Sequence, residues 1–178
     1  MDMIREIRIE EEKLKVVFEI QENGVVELKQ FDLAGRMDVK ERDRGEEDFY
    51  PITEVQITGR GTRGMHAYKH NVSGGATDFV YQSHEVLENE KGKELVIHTA
   101  TEYGVKGEYH MQFYPNIAVV QAWTTLKNEG TEEIGLEYVS SFIYQGLCQS
   151  GEKPYFEKTS IYTPHNSWDC ESQWRKND

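Results

Sequence analysis

The chain has 178 residues, with 32 Asp and Glu against 20 Lys and Arg and a formal net charge of -12. That length supports one complete hydrophobic core, and the negative balance repels phosphate backbones and anionic lipid surfaces, which excludes nucleic acid and membranes as expected partners. Two cysteines, Cys148 and Cys170, are too few for a disulfide framework or a structural zinc site, so they read as reduced and structural and no cofactor is expected.

The opening stretch, "MDMIREIRIEEEKLKVVFEI", contains no apolar run long enough for a signal peptide, and no later stretch approaches a membrane span. A cytoplasmic location is the expectation. Strands are predicted at 14–20 (LKVVFEI), 25–31 (VVELKQF) and 54–59 (EVQITG), where β-branched and aromatic residues concentrate. The intervening "VKERDRGEED", 39–48, is charged on every side and reads as a loop.

Next comes a Gly-rich segment, "GRGTRGMHAYKH", 59–70, that gathers Arg60, Arg63 and Lys69 and reads first as a solvated turn. His66 and His70 lie four apart, but in an extended backbone that spacing separates Cα atoms by roughly 13 Å, too far for a shared metal. Asn71-Val72-Ser73 is a glycosylation acceptor only in a secreted protein.

Further strands are predicted at 78–87, 94–101, 107–114, 117–126 and 134–144, separated by turn signals such as "NEKGK", "YGVKG" and "NEGTEE". No window carries a helical apolar stripe. The prediction is therefore all-β, an antiparallel β-sandwich of about ten strands forming a single domain over 1–178. His98 and His110 fall in strands, where a lone histidine reads as structural. Glu85, Glu102, Glu108, Glu137 and Glu171 sit beside aromatic residues or histidines and read mostly as solvated faces. Neither a nucleophile elbow nor a phosphate loop is present.

The last stretch, "HNSWDCESQWRKND", holds His165, Trp168, Glu171 and Trp174. As one continuous strand it would place Trp168 and Trp174 on one face, about 20 Å apart, with Glu171 on the other. Two such indoles are either stacking platforms for pyranose rings or core fillers, and spacing favours the core. Trp123, alternating with Gln121 and Thr125, receives the same reading.

Residues 122–147, "AWTTLKNEGTEEIGLEYVSSFIYQGL", followed by "HNSWDCESQW", resemble the amino-terminal domain of family 36 glycoside hydrolases, the α-galactosidases of the melibiase group. The Trp123-Thr124 strand, the Asn128-Glu129-Gly130 turn, the strand through Glu137 to Ser141, and the segment from Asn166 to Trp174 occur in the family's order. A looser likeness extends back to about residue 50. The resemblance implies a galactose-mutarotase-like supersandwich that precedes a catalytic (β/α)8 barrel, whose aspartates do the chemistry. None of that barrel is in this sequence, so the chain alone is expected to be inactive, a truncated non-catalytic domain of a longer hydrolase.

By that resemblance the domain supports oligomerisation, with a second copy or the missing barrel as partner, and offers a galactoside-binding role. Trp123, His165, Trp168, Glu171 and Trp174 are then the carbohydrate-binding candidates, and Arg60, Arg63, His66 and Lys69 the interface loop. Two alternatives stand beside it. One is a stand-alone mutarotase-like epimerase using His98 or His110 with Glu171 to move protons at the anomeric carbon; the other is a carbohydrate-binding module built on exposed tryptophans.

Overall fold

A computed structural model describes residues 5–11, 13–35, 50–61, 73–144, 157 and 159–177. The chain divides into two compact units, Met1–Gln145 and Gly146–Asp178. Eleven strands, all paired antiparallel, and a 3-10 turn at Ala76–Asp78 are its elements among the described residues. The fold is all-β, as the periodicity predicts.

In the first unit, β1 (Glu6–Glu11), β2 (Leu14–Ile20) and β3 (Val26–Leu33) form a three-stranded sheet. A second sheet has the order β5 (Val80–Asn89), β6 (Gly92–Ala100), β7 (Val105–Phe113) and β8 (Val120–Asn128). β1 was not among the predicted strands. Its alternation is carried by Ile7 and Ile9 alone, because as an edge strand it buries one face only.

The two sheets face each other across one apolar cluster. Val16 and Phe18 of β2 and Val26 and Leu28 of β3 meet Leu95 and Ile97 of β6 and Tyr109 and Met111 of β7. Phe18 and Tyr109 make an edge-to-face contact with ring centroids 5.9 Å apart. The turn joining β2 to β3 holds Gly24 at φ +84, and its carbonyl accepts from Tyr81 N–H of β5 at 2.8 Å, linking the two sheets.

β4 (Val55–Ile57) pairs with β9 (Leu136–Val139). The predicted strand 134–144 is thus paired over only four residues. Just past the end of this ladder the Glu54 carbonyl still accepts from the Ser140 N–H at 2.9 Å, but the Glu54 N–H donates to the Ser140 hydroxyl at 2.8 Å instead of to a backbone carbonyl. Glu54 itself is fully buried, and one of its carboxylate oxygens accepts from both the backbone N–H and the hydroxyl of Ser73, at 2.9 and 2.6 Å. That hydroxyl, the last residue of the glycosylation triplet, is committed to this buried network.

Among its described residues the second unit contains one hairpin, β10 (Ile161–Ser167) with β11 (Cys170–Asn177). The geometry of one continuous strand over 165–174 therefore does not apply. Trp168 and Asp169 form the reversing turn, and Trp174 pairs with Pro164 across the ladder.

Candidate functional site

With Leu95, Ile97, Tyr109 and Met111 turned into the core, the period of two directs Glu94 and His98 of β6, and Glu108 and His110 of β7, to the opposite face of the four-stranded sheet. Cross-strand register places Trp123 and Thr125 of β8 beside His110 and Glu108. On this outer face three carboxylates and two imidazoles alternate. His98 lies 3.2 Å from Glu85 through Nε2 and 3.5 Å from Glu108 through Nδ1, while His110 Nδ1 lies 2.8 Å from Glu94 and its Nε2 lies 3.6 Å from Glu108.

The Glu94–His110 pair is the most enclosed part, with side chains 16% and 14% exposed. A carboxylate accepts, so the 2.8 Å contact directs an Nδ1–H of His110 at Glu94, and with the proton on Nδ1 the Nε2 of a neutral ring is an acceptor. Glu94's other oxygen accepts from the Asn89 amide at 3.1 Å, and that amide also donates to Gln112 at 2.7 Å. Gln112, buried, donates to the carbonyls of Lys93 and Phe113, both at 2.9 Å, anchoring the chain of bonds to the backbone. The His110 ring stacks on the Trp123 indole, centroids 4.7 Å apart and planes within 5°.

At the end of this face Glu129 accepts from Lys106 and Lys127, each at 2.6 Å. Those two bonds, Lys106 first, hold its carboxyl down at about 2, and the same contact raises the Lys127 ammonium. Among the described residues no group of three or more His, Cys, Asp or Glu is arranged to hold a metal ion.

Trp123 is half-buried on the outer face, not between the sheets as spacing favoured. Trp168 is fully exposed at 101% and Trp174 is 66% exposed, so neither fills a core. Two-residue turns do not announce themselves when they consist of Trp and Asp, which is why the reversal was missed. Around them, Thr163 and His165 share a hydrogen bond at 3.2 Å, and Ser172 N–H donates to Asn166 at 2.7 Å. His165 pairs in register with Gln173, and Glu171 is exposed on β11.

Arg60 is held: its guanidinium pairs with Asp78 at 2.5 Å and lies 4.1 Å over the Tyr103 ring. Burial, then the Asp78 charge, raises the Tyr103 phenol. Arg63, His66 and Lys69 lie outside the described residues, as does the charged loop 39–48. His98 and His110 take their carboxylate partners from the first unit, whereas Glu171 belongs to the second. Glu94 was not a candidate from sequence, since only strand register brings it to His110.

No protein-family model and no curated protein matches the chain. Among solved structures, it is similar to a family 36 α-galactosidase from Geobacillus stearothermophilus in complex with 1-deoxygalactonojirimycin, with a TM-score of 0.50 and 14% identity. The likeness covers 74% of this chain and 23% of that one, and at this identity it concerns the fold.

Proposed function

We propose that the chain is a non-catalytic β-sandwich domain of an α-galactosidase-like glycoside hydrolase, where it supports assembly and helps hold a galactoside. The observation that carries this reading is the fold likeness, which takes in most of this chain but 23% of the α-galactosidase chain. A (β/α)8 barrel alternates strands with helices, whereas the elements described here are antiparallel strands and one 3-10 turn, which favours a part of the hydrolase outside the barrel. The ordered motifs from Trp123 to Trp174 support the same assignment.

The exposed apolar surface of β9, rather than the loop bearing Arg60, Arg63, His66 and Lys69, supports the assembly role. Leu136, Tyr138 and Val139 are 51%, 39% and 36% exposed, and beside them an open cleft of about 180 Å³ is lined by Val55, Ile57, Phe79, Val105, Leu126, Asn128, Ile134 and Leu136. An apolar, exposed strand is a template for another chain, and a second copy of this one is the simplest occupant. Copies each carrying a net charge of -12 repel, so their association should tighten as salt rises. Sedimentation velocity over a range of concentration and salt tests this. Salt-enhanced association, lost in Leu136→Lys, is expected; a monomer under all conditions overturns the assembly role.

A further inference from the structure

We infer that the outer face of the four-stranded sheet binds a neutral saccharide through vicinal hydroxyls, with His110 Nε2 and Glu108 accepting from them and Trp123 forming the apolar wall. The inference rests on the carbohydrate-linked reading above and gives it a place on the chain.

The argument begins with His110. Its Nδ1 lies 2.8 Å from Glu94, and Glu94 is in turn fixed by Asn89, so the ring cannot turn without breaking its bond to an anchored carboxylate. Among the described residues its Nε2 has distant polar neighbours, Thr125 Oγ1 at 3.5 Å and Glu108 Oε2 at 3.6 Å. Good hydrogen bonds to such groups span about 2.7–3.0 Å. A pre-oriented acceptor is thus weakly used, beside the Glu108 carboxylate, whose other oxygen lies 3.5 Å from His98 Nδ1.

Chemistry then selects the ligand class. Acceptors side by side suit a ligand rich in hydrogen-bond donors, such as the O–H groups of a polyol. Anionic ligands are opposed by Glu85, Glu94 and Glu108 together with the net charge of -12, and among the described residues no grouping fits a metal ion. Trp123 stands on β8, the last strand of its sheet, with one ring face against His110. A pyranose offers the remaining match, apolar C–H groups for the indole and adjacent hydroxyls for the acceptors. The face crosses four strands, about 14 Å, which accommodates more than one sugar ring.

The test is a nuclear magnetic resonance titration of the intact chain with galactose, melibiose and raffinose, reading the His110 imidazole and the three indole N–H groups. Saturable shifts at His110 and Trp123 are expected, weakened about three- to tenfold in Trp123→Ala and in Glu108→Ala. Glu108 is 44% exposed, so its truncation leaves the fold intact and keeps the test interpretable if the tryptophan variant unfolds. Shifts confined to Trp168 and Trp174 overturn this placement while leaving a galactoside-binding domain. No shift at any of these groups overturns it as well, and sedimentation then decides the assembly role separately.

Discussion

Glu94 and His110 face each other at 2.8 Å on the outer surface of the four-stranded sheet, a carboxylate and an imidazole from neighbouring strands, both largely shielded from water. Removing the carboxylate leaves a shielded N–H without its acceptor. Glu94→Ala is therefore expected to lower unfolding free energy by about 1–3 kcal/mol and to abolish the preference for the proton on Nδ1. Urea denaturation measures the first effect, and ring-nitrogen chemical shifts of His110 the second. An unchanged tautomer in the variant would show that Glu94 does not orient the ring.

The buried bond set around Glu54 gives a larger structural prediction. Ser73 supplies two of the donors to one of its oxygens, and Ser140 takes the Glu54 N–H. Ser73→Ala keeps the backbone donor and removes the hydroxyl, at an expected cost of about 1–3 kcal/mol; Glu54→Ala strands the Ser73 N–H, leaves the hydroxyl only the Val55 carbonyl at 2.8 Å, empties the buried side-chain site and should cost more. Chemical denaturation of the two variants orders them. Equal stability would place the network outside the cooperative core.

Phe18 is fully buried and meets Tyr109 edge to face across the two sheets. Phe18→Ala should destabilise by about 3–5 kcal/mol, a loss of apolar contact plus an unfilled cavity. Phe18→Leu should cost less because it refills part of that space. Thermal unfolding followed by circular dichroism distinguishes the two.

Both ends of the pH scale follow from two residues. Burial pushes the Tyr109 phenol well above its ordinary 10.0, so its stabilising contribution is complete below pH 10 and is lost as pH rises, when the unfolded chain ionises and the native one does not. Alkaline unfolding should therefore begin above about pH 10 and be delayed in Tyr109→Phe wherever the hydroxyl itself is not needed for packing. At the acid end, Glu129 is held at about 2 by Lys106 and Lys127, so its contribution is present above the usual 4.5 and lost as pH falls through about 2. These groups lie at the surface, and high salt should bring the Glu129 carboxyl back toward its ordinary value in a carbon-detected titration.

Much of the sandwich was legible because composition and period agree. "LKVVFEI" reads as a strand over 14–20, and β2 runs from Leu14 to Ile20. Where a side chain replaces a backbone partner, as Ser140 does at Glu54, the strand is shorter than its apolar content implies. The outer-face cluster was half legible. His98 and His110 stood out, but their carboxylates are assigned by register between β5, β6 and β7, which no single segment records. The two late tryptophans misled for a related reason: spacing along one strand lost its meaning once Trp168 and Asp169 turned the chain back. Touching turns were equally hidden. Gly104, at φ +89, and Gly130 approach so closely that a Cβ on Gly104 would lie 2.6 Å from the Gly130 Cα.

The most direct test of the central claim is a calorimetric titration of the intact chain with melibiose, followed by analysis of the recovered sugar. A saturable isotherm with melibiose returned intact is the predicted result, recognition without hydrolysis. Release of free galactose by the purified chain would contradict the non-catalytic assignment, and a flat isotherm from folded protein would contradict the galactoside-binding role.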